Sequence, residues 1–162
     1  MKPGAGLAVS GLLLVWLLAS VLVHPLPHEA LDRTGAPLLV GAAIPQSVAD
    51  VFAHACINCH SEQTHWPWYS YVAPVSWLVE SDVKRARKRL NLSHWDSLDG
   101  AEQRMLLTAI ATVVENHEMP LHRYVVLHPD VKLSIDDSVQ VIEWTHAERR
   151  RLRISASRLT AK

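Results

Sequence analysis

Apolar residues recur at intervals of three and four positions in four separate parts of the chain, which is the pattern of amphipathic α-helices. The alternation of apolar and polar residues that marks a half-buried strand is weak throughout. The sequence therefore predicts an all-α domain with long loops between its helices. The predicted helices cover about residues 46–57, 74–90, 100–117 and 135–151.

Start signals support each predicted helix. Pro45 precedes the first, and Pro74 opens the second, where proline suits the first helical turn. Asp99 and Glu102 have the spacing of a capping box, with Asp in place of the usual Ser or Thr. Ser134 is a good N-cap for the fourth helix. The predicted core-facing residues are Val48, Val51, Phe52 and Ala55; Val75, Leu78, Val79 and Val83; Leu106, Ile110, Val113 and Val114; and Ile135, Val139 and Ile142.

The N-terminal segment differs because it contains no charged residue from Ala5 to Val23. Its length is about that of a helix that crosses the hydrocarbon core of a membrane. A cleaved signal peptide is the alternative, but no good small-x-small cleavage site follows directly. We therefore expect one transmembrane signal-anchor over residues 1–23. Lys2 lies ahead of it, so the positive-inside rule places the remainder of the chain outside the cytoplasm.

The 162 residues carry a formal net charge of zero and suit one exported domain. The anchor is followed by a proline-rich linker over residues 24–45 and a domain over residues 46–148. Residues 149–162 form a basic tail, for which we expect disorder, with contact to anionic lipid headgroups as the alternative. The basic run 84–89 is expected to be a solvated helix end, and the alternative is a docking patch for an acidic redox partner.

Residues 56–60 read Cys-Ile-Asn-Cys-His and contain both cysteines of the chain. This C-x-x-C-H spacing is the attachment signature of a c-type haem. Cys56 and Cys59 would each add to one vinyl group of the porphyrin, and His60 would ligate the iron. Because the chain has no internal repeat and no second copy of the motif, we expect one covalently attached haem c.

The motif has three alternative interpretations. Cys56 and Cys59 could form a disulfide. A thioredoxin-like redox motif expects a strand ahead of it, whereas the preceding residues have the pattern of a helix. A structural zinc site needs four ligands, so two histidines would have to join the cysteines.

Met119 is the candidate for the second axial ligand. It follows the third predicted helix, and Pro120 restricts its backbone to extended conformations. A thioether suits low-spin haem iron and raises the reduction potential. Met105 lies within the predicted helix instead. The alternatives are that Met119 is an ordinary loop or core residue, or that a histidine ligates the iron, with His117 the leading rival. The other rivals are His65, His122 and His128.

An aromatic loop follows the motif closely at Trp66, Pro67, Trp68 and Tyr69. It could cover a haem edge, and an indole or phenol could hydrogen-bond a propionate. General core packing is the alternative. Trp77 could continue the same wall.

Segments spread along the exported region together carry a family resemblance. They are Cys56–Ser61, Gln63–Thr64, Pro67–Ser70, Ala73–Trp77, Glu118–Pro120, Tyr124, Leu127–Pro129, Leu133–Ser134 and Trp144. The chain resembles the bacterial haem-binding domain family of short, exported c-type cytochromes. The resemblance implies a cytochrome c-like helical fold, covalent haem on the two cysteines, iron ligation by His60 and a sulfur ligand at Met119. The haem-pocket candidates are Trp66, Pro67, Trp68, Tyr69, Trp77, Pro120 and Tyr124.

The expected function is that of a membrane-anchored monohaem c-type cytochrome. It would carry one electron at a time between redox proteins on the periplasmic side of the inner membrane, since haem attachment to this motif takes place after export. We expect no enzymatic activity and no nucleic-acid partner. The alternatives are a haem-bearing subunit of a larger membrane redox complex and, if the sixth ligand is labile, a protein that reacts with gases or peroxide.

Overall fold

The computed structural model describes residues 3–22, 32 and 37–160. These described residues form helices and no strand, which confirms the prediction of an all-α fold. The α-helices are α1 (Pro3–Leu22), α2 (Gln46–Ala55), α3 (Ile57–His60), α4 (Val75–Arg89), α5 (Gly100–Glu115), α6 (His122–Leu127) and α7 (Ile135–Thr160). Short 3₁₀ segments lie at Trp68–Tyr71, Leu92–Ser97 and Pro129–Val131.

Local start signals placed the helices well. Helices α2, α4, α5 and α7 correspond to the four predicted ones, and all but α7 end within two residues of the predicted position. The Asp99 carboxylate accepts the backbone N–H groups of Ala101 and Glu102, and the Glu102 side chain accepts that of Asp99, so the capping box is present. Ser134 caps α7 in the same reciprocal way with Asp137.

The basic C-terminal segment is helical, contrary to the prediction of a disordered tail over residues 149–162. Helix α7 continues to Thr160, and the last two residues lie outside the described part of the chain. Leu152 packs against the hydrophobic core. Arg151 makes a two-pronged ion pair with the buried carboxylate of Glu148, one turn earlier. Both contacts stabilise the helix beyond the point where its apolar periodicity fades.

The hydrophobic core lies between α2, α5, α7 and the 3₁₀ segment Leu92–Ser97. Leu92, Trp95 and Leu107 are fully buried at its centre. The rings of Phe52 and Trp144 meet edge to face at 5.4 Å between centroids, a favourable aromatic geometry. The chain thus has an apolar core that is built from its own side chains.

Several core faces differ from the predicted ones. On α7, Ile135 and Val139 are 83% and 46% exposed, although both were predicted to face the core. The buried residues of that helix are Val141, Trp144, Thr145 and Glu148.

On α4, Val75 and Leu78 are exposed, and the buried residues are Ser76, Glu80 and Val83. On α5, they are Leu107, Ile110, Ala111 and Val114. On α2, Val48, Val51 and Phe52 are buried as predicted.

Contacts with the segment ahead of α2 explain the face that α7 presents. The indole N–H of Trp144 donates to the carbonyl oxygen of Ala43 over 2.9 Å, and the N–H of Ala43 donates to Glu148 over 3.3 Å. Arg151 donates to the carbonyl oxygen of Gly41. Residues 38–44, which the sequence assigns to the linker, therefore pack onto the domain.

No helix in the described part of the chain has the combination of length and apolar character that a membrane crossing requires. The transmembrane helix predicted over residues 1–23 is thus not supported. Residues 1–2, 23–31 and 33–36, which include most of the predicted linker, lie outside the described residues.

Candidate functional site

The C-x-x-C-H motif forms a separate helical turn directly after α2. Cys56 lies at the junction, and α3 carries Cys59 and His60. The N–H groups of Cys59 and His60 both donate to the carbonyl oxygen of Cys56, over 3.2 and 3.0 Å. Residues three apart on a helical turn project on the same side, so the two thiols lie along one edge.

His60 is fixed by one of its two ring nitrogens. Its Nδ1 lies 3.0 Å from the backbone carbonyl oxygen of Leu90, the C-cap residue that follows α4. Because a carbonyl oxygen can only accept, Nδ1 carries the proton and Nε2 keeps its lone pair. Burial lowers the pKa of His60, although hydrogen bonds to the Leu90 and Ala86 backbone oppose this shift. The imidazole is therefore neutral at neutral pH, with Nε2 available as a metal ligand.

The two cysteines are free, half-buried thiols. Burial, with a smaller contribution from Cys59, raises the pKa of Cys56 to about 12. Burial and the Asp82 carboxylate raise the pKa of Cys59 to about 11. Redox-active C-x-x-C motifs depend instead on a lowered thiol pKa, and this contrast argues against a thioredoxin-like role. Among the described residues, no group of three His, Cys, Asp or Glu side chains could hold a metal ion, so the zinc interpretation finds no support.

Asn58 ties the motif to two other parts of the chain. Its side-chain amide donates to the Tyr124 hydroxyl on α6 over 3.1 Å. Its side-chain oxygen accepts the N–H of His65, and its backbone oxygen accepts the hydroxyl of Thr64. Sequence reasoning missed this role, since nothing in the local pattern marks the partner, which lies 66 residues away.

Tyr69 and Tyr124, two of the predicted pocket residues, meet at His128. The Tyr69 hydroxyl is hydrogen-bonded to Nε2 of His128, and the Tyr124 and His128 ring centroids lie 4.6 Å apart. Burial raises the pKa of both tyrosines, and nearby Cys59 contributes to each shift. These interactions place the aromatic cluster beside the motif.

Of the tryptophans predicted for the pocket, Trp68 joins this cluster, because its ring meets that of Tyr69 edge to face with 5.9 Å between centroids. Trp66 donates its indole N–H to Asp32, which also pairs with Arg87 over 2.7 Å. Trp68 is 78% exposed and Trp77 is 50% exposed. Pro67 and Pro120 are half-buried.

Met119 follows a helix end of defined geometry. His117 adopts a left-handed conformation, with φ of 56°. The N–H of Glu118 donates to the carbonyl oxygen of Val113, and the N–H of His117 donates to that of Val114. These two bonds form a Schellman motif. Met119 is half-buried, whereas His117 is exposed. Ligation by Met119 stays a prediction, with burial in its favour over His117.

The residues of the motif fit a haem. Two free thiols lie along one edge of a helical turn, and the neighbouring neutral imidazole has its Nδ1 occupied and its Nε2 available. The segment that contains Met119 leads into α6, which contacts the same turn through Tyr124 and Asn58. The exposed rings of Trp68 and Trp77 offer apolar surface that a planar cofactor or a partner could cover.

Comparisons with known proteins agree with this description. A family model described as a haem-binding domain matches residues 15–147. A curated relative, the cytochrome c peroxidase Ccp of Escherichia coli (strain K12), is 27% identical over 97 residues, which is 58% of this chain and 21% of the relative. The chain thus covers about a fifth of that protein's length. No solved structure matches the chain.

Proposed function

The chain belongs to the haem-binding domain family, and from this premise we propose that it is a c-type cytochrome that transfers one electron at a time between redox partners. The observation that carries the proposal is the motif turn, where Nδ1 of His60 is held by Leu90 and both thiols are free. A histidine fixed through one nitrogen is the arrangement by which proteins orient a metal-ligating imidazole.

Four residues would hold the cofactor. Cys56 and Cys59 would attach it through thioethers, His60 would ligate the iron through Nε2, and Met119 would supply a second iron ligand. Haem iron supplies reversible one-electron oxidation and reduction. The protein would contribute orientation through the His60–Leu90 hydrogen bond.

The proposed location is the periplasmic side of the inner membrane, because thioether attachment to C-x-x-C-H follows export. The uncharged N-terminal segment supports export of the chain. The proposed partners are redox proteins in the same compartment. Donor and acceptor would exchange electrons with one haem per chain, since the sequence contains one copy of the motif.

Purified holoprotein tests attachment and redox behaviour together. We expect haem to stay with the polypeptide on a denaturing gel and in acidified organic solvent, and a potentiometric titration to follow a one-electron curve. The double variant Cys56→Ala/Cys59→Ala should release its haem, whereas Met119→Ala should retain it covalently. Extraction of haem from the wild-type protein would exclude covalent attachment, and a two-electron curve would exclude a single one-electron centre.

Peroxide reduction is a second candidate, favoured by the partial similarity to a protein named cytochrome c peroxidase. It requires that the iron have a free position or that Met119 be readily displaced from it. Hydrogen peroxide should then oxidise the reduced wild-type protein about as fast as the Met119→Ala variant. If Met119 closes the site, only the variant should react rapidly. A slow wild-type reaction would leave electron transfer as the supported function.

A further inference from the structure

A cavity lies on the domain surface where α5 meets α7, and none of the haem-site residues lines it. Its volume is about 290 Å³. Arg104 contributes from α5, and the remaining lining residues come from α7. The lining residues are Arg104, His146, Arg149, Arg150 and Arg153. The four on α7 follow a spacing of three, four and seven positions, so they share one face of that helix.

The four arginines of this cavity lie together without an ion pair; Arg89 and Arg158 also lack one among the described residues, but neither lines the cavity. Arg85, Arg87, Arg123 and Arg151 each pair with an Asp or Glu. No ion pair involves any of the four cavity arginines within the described residues, and the Nε of Arg149 is buried without a hydrogen-bond partner. Four guanidinium groups therefore line one cavity, and no Asp or Glu among the described residues pairs with any of them.

Several positive charges that lie close together without an anion are unfavourable, because they repel one another. Guanidinium groups stay charged at all physiological pH values, and a buried donor without an acceptor loses its hydrogen bond to water. A bound anion would supply acceptors for the guanidinium groups that line the cavity and offset the mutual repulsion of the arginines. Phosphate is the anion that best matches several guanidinium groups, because it offers several charged oxygens for paired N–H donors.

We propose that this cavity binds a phosphate-bearing anion. The site is a property of the end of α7, which continues to Thr160 and lies largely beyond the matched family region at residue 147. It is independent of haem binding. The phosphate group could belong to a soluble metabolite or to a lipid headgroup, and both sources present the same chemistry to the arginines.

Titration of the full-length holoprotein with inorganic pyrophosphate tests the site in solution. Calorimetry and thermal unfolding should both show saturable binding, compared with potassium chloride at equal ionic strength. Removing one charged hydrogen-bond donor in Arg149→Gln or Arg153→Gln should weaken binding by about tenfold or more. Arg158→Gln removes the same charge from the same helix outside the cavity, and it should bind like the wild type. The haem spectrum and circular dichroism establish that each variant is folded.

Vesicles distinguish the two sources of phosphate. Full-length protein is mixed with phosphatidylcholine vesicles with and without phosphatidic acid, and the additional binding caused by phosphatidic acid is measured. If a lipid headgroup is the source, Arg149→Gln and Arg153→Gln should lose that addition and Arg158→Gln should keep it. Two results overturn the proposal: the absence of both saturable pyrophosphate binding and the phosphatidic acid effect, or an equal loss in Arg158→Gln, which would indicate general attraction of anions to a basic helix.

Discussion

Asn58 donates its side-chain amide to the hydroxyl of Tyr124 over 3.1 Å. The donor lies between the two cysteines, and the acceptor lies on α6, five residues after Met119. This bond joins the two parts of the chain that are expected to ligate the iron. The protein's own side chains therefore make a polar connection between its attachment turn and its ligand segment.

Tyr124→Phe should destabilise the protein modestly, because it leaves the half-buried Asn58 amide without this acceptor. The loss of one such hydrogen bond costs about 1 kcal/mol of unfolding free energy. Denaturant unfolding of wild type, Tyr124→Phe, Asn58→Ala and the double variant measures it. In the Asn58→Ala background, Tyr124→Phe should have almost no further effect. Additive losses would mean that the two side chains act independently.

Met119→Ala should abolish the weak far-red sulfur-to-iron band of the ferric protein. The half-buried position of Met119 favours it as ligand, whereas His117 is exposed. Met105→Ala is the matched control, since Met105 is 64% exposed on α5, and it should keep the band. If the band is absent from the wild type and His117→Ala changes the spectrum, the iron has two histidine ligands instead.

The helix starts could be predicted because their signals are local. Asp99 and Glu102 are three residues apart, and their side chains satisfy N–H groups within one turn. The C-x-x-C-H motif is local in the same sense, because five consecutive residues identify it. The start of α5 and the attachment turn were therefore available from the sequence alone.

The core faces of α4 and α7 could not be predicted in this way. Trp144 and Glu148 are buried because they contact Ala43, about a hundred residues earlier in the chain. Apolar spacing alone favoured Ile135 and Val139, which have no such partner in the core and stay exposed. The hydrogen bond from His60 to Leu90, across 30 residues, is equally invisible to local pattern. The buried face of α7 and the position of the His60 ring both depend on residues that are distant in sequence and close in the fold.

His117→Gly should stabilise the protein. His117 has a φ of 56° at the end of α5, and a left-handed conformation costs a residue with a Cβ about 1 kcal/mol relative to glycine. Thermal unfolding should show a correspondingly higher midpoint. His117→Val is the opposing control and should destabilise, because a β-branched residue tolerates this conformation poorly. A lower midpoint for the glycine variant would contradict the Schellman geometry at this helix end.

The cysteines of protein made without haem should react slowly with iodoacetamide. Only the thiolate is nucleophilic, and burial raises the pKa of Cys56 to about 12 and that of Cys59 to about 11. At pH 8 the thiolate fraction of Cys59 should be at least about 100-fold below that of an unfolded cysteine, and that of Cys56 about tenfold lower again. Mass spectrometry of the two modified positions measures each rate, with urea-unfolded protein as the control. Equal rates in both states would show that the thiols are exposed.

The start of α7 should make the stability of the domain sensitive to acid. Hydrogen bonds from the Ser134 hydroxyl and backbone N–H to the Asp137 carboxylate lower the pKa of Asp137. Because the pKa is lower in the folded state, the stabilisation is complete above the unfolded value, about 4, and is lost as the pH falls through the folded value. The difference in unfolding free energy between wild type and Asp137→Asn should therefore shrink as the pH is lowered below about 4. Asp136→Asn removes the same charge from the same turn without these hydrogen bonds, and controls for the loss of charge. A difference that stays constant with pH would show that the Asp137 carboxylate is not linked to folding.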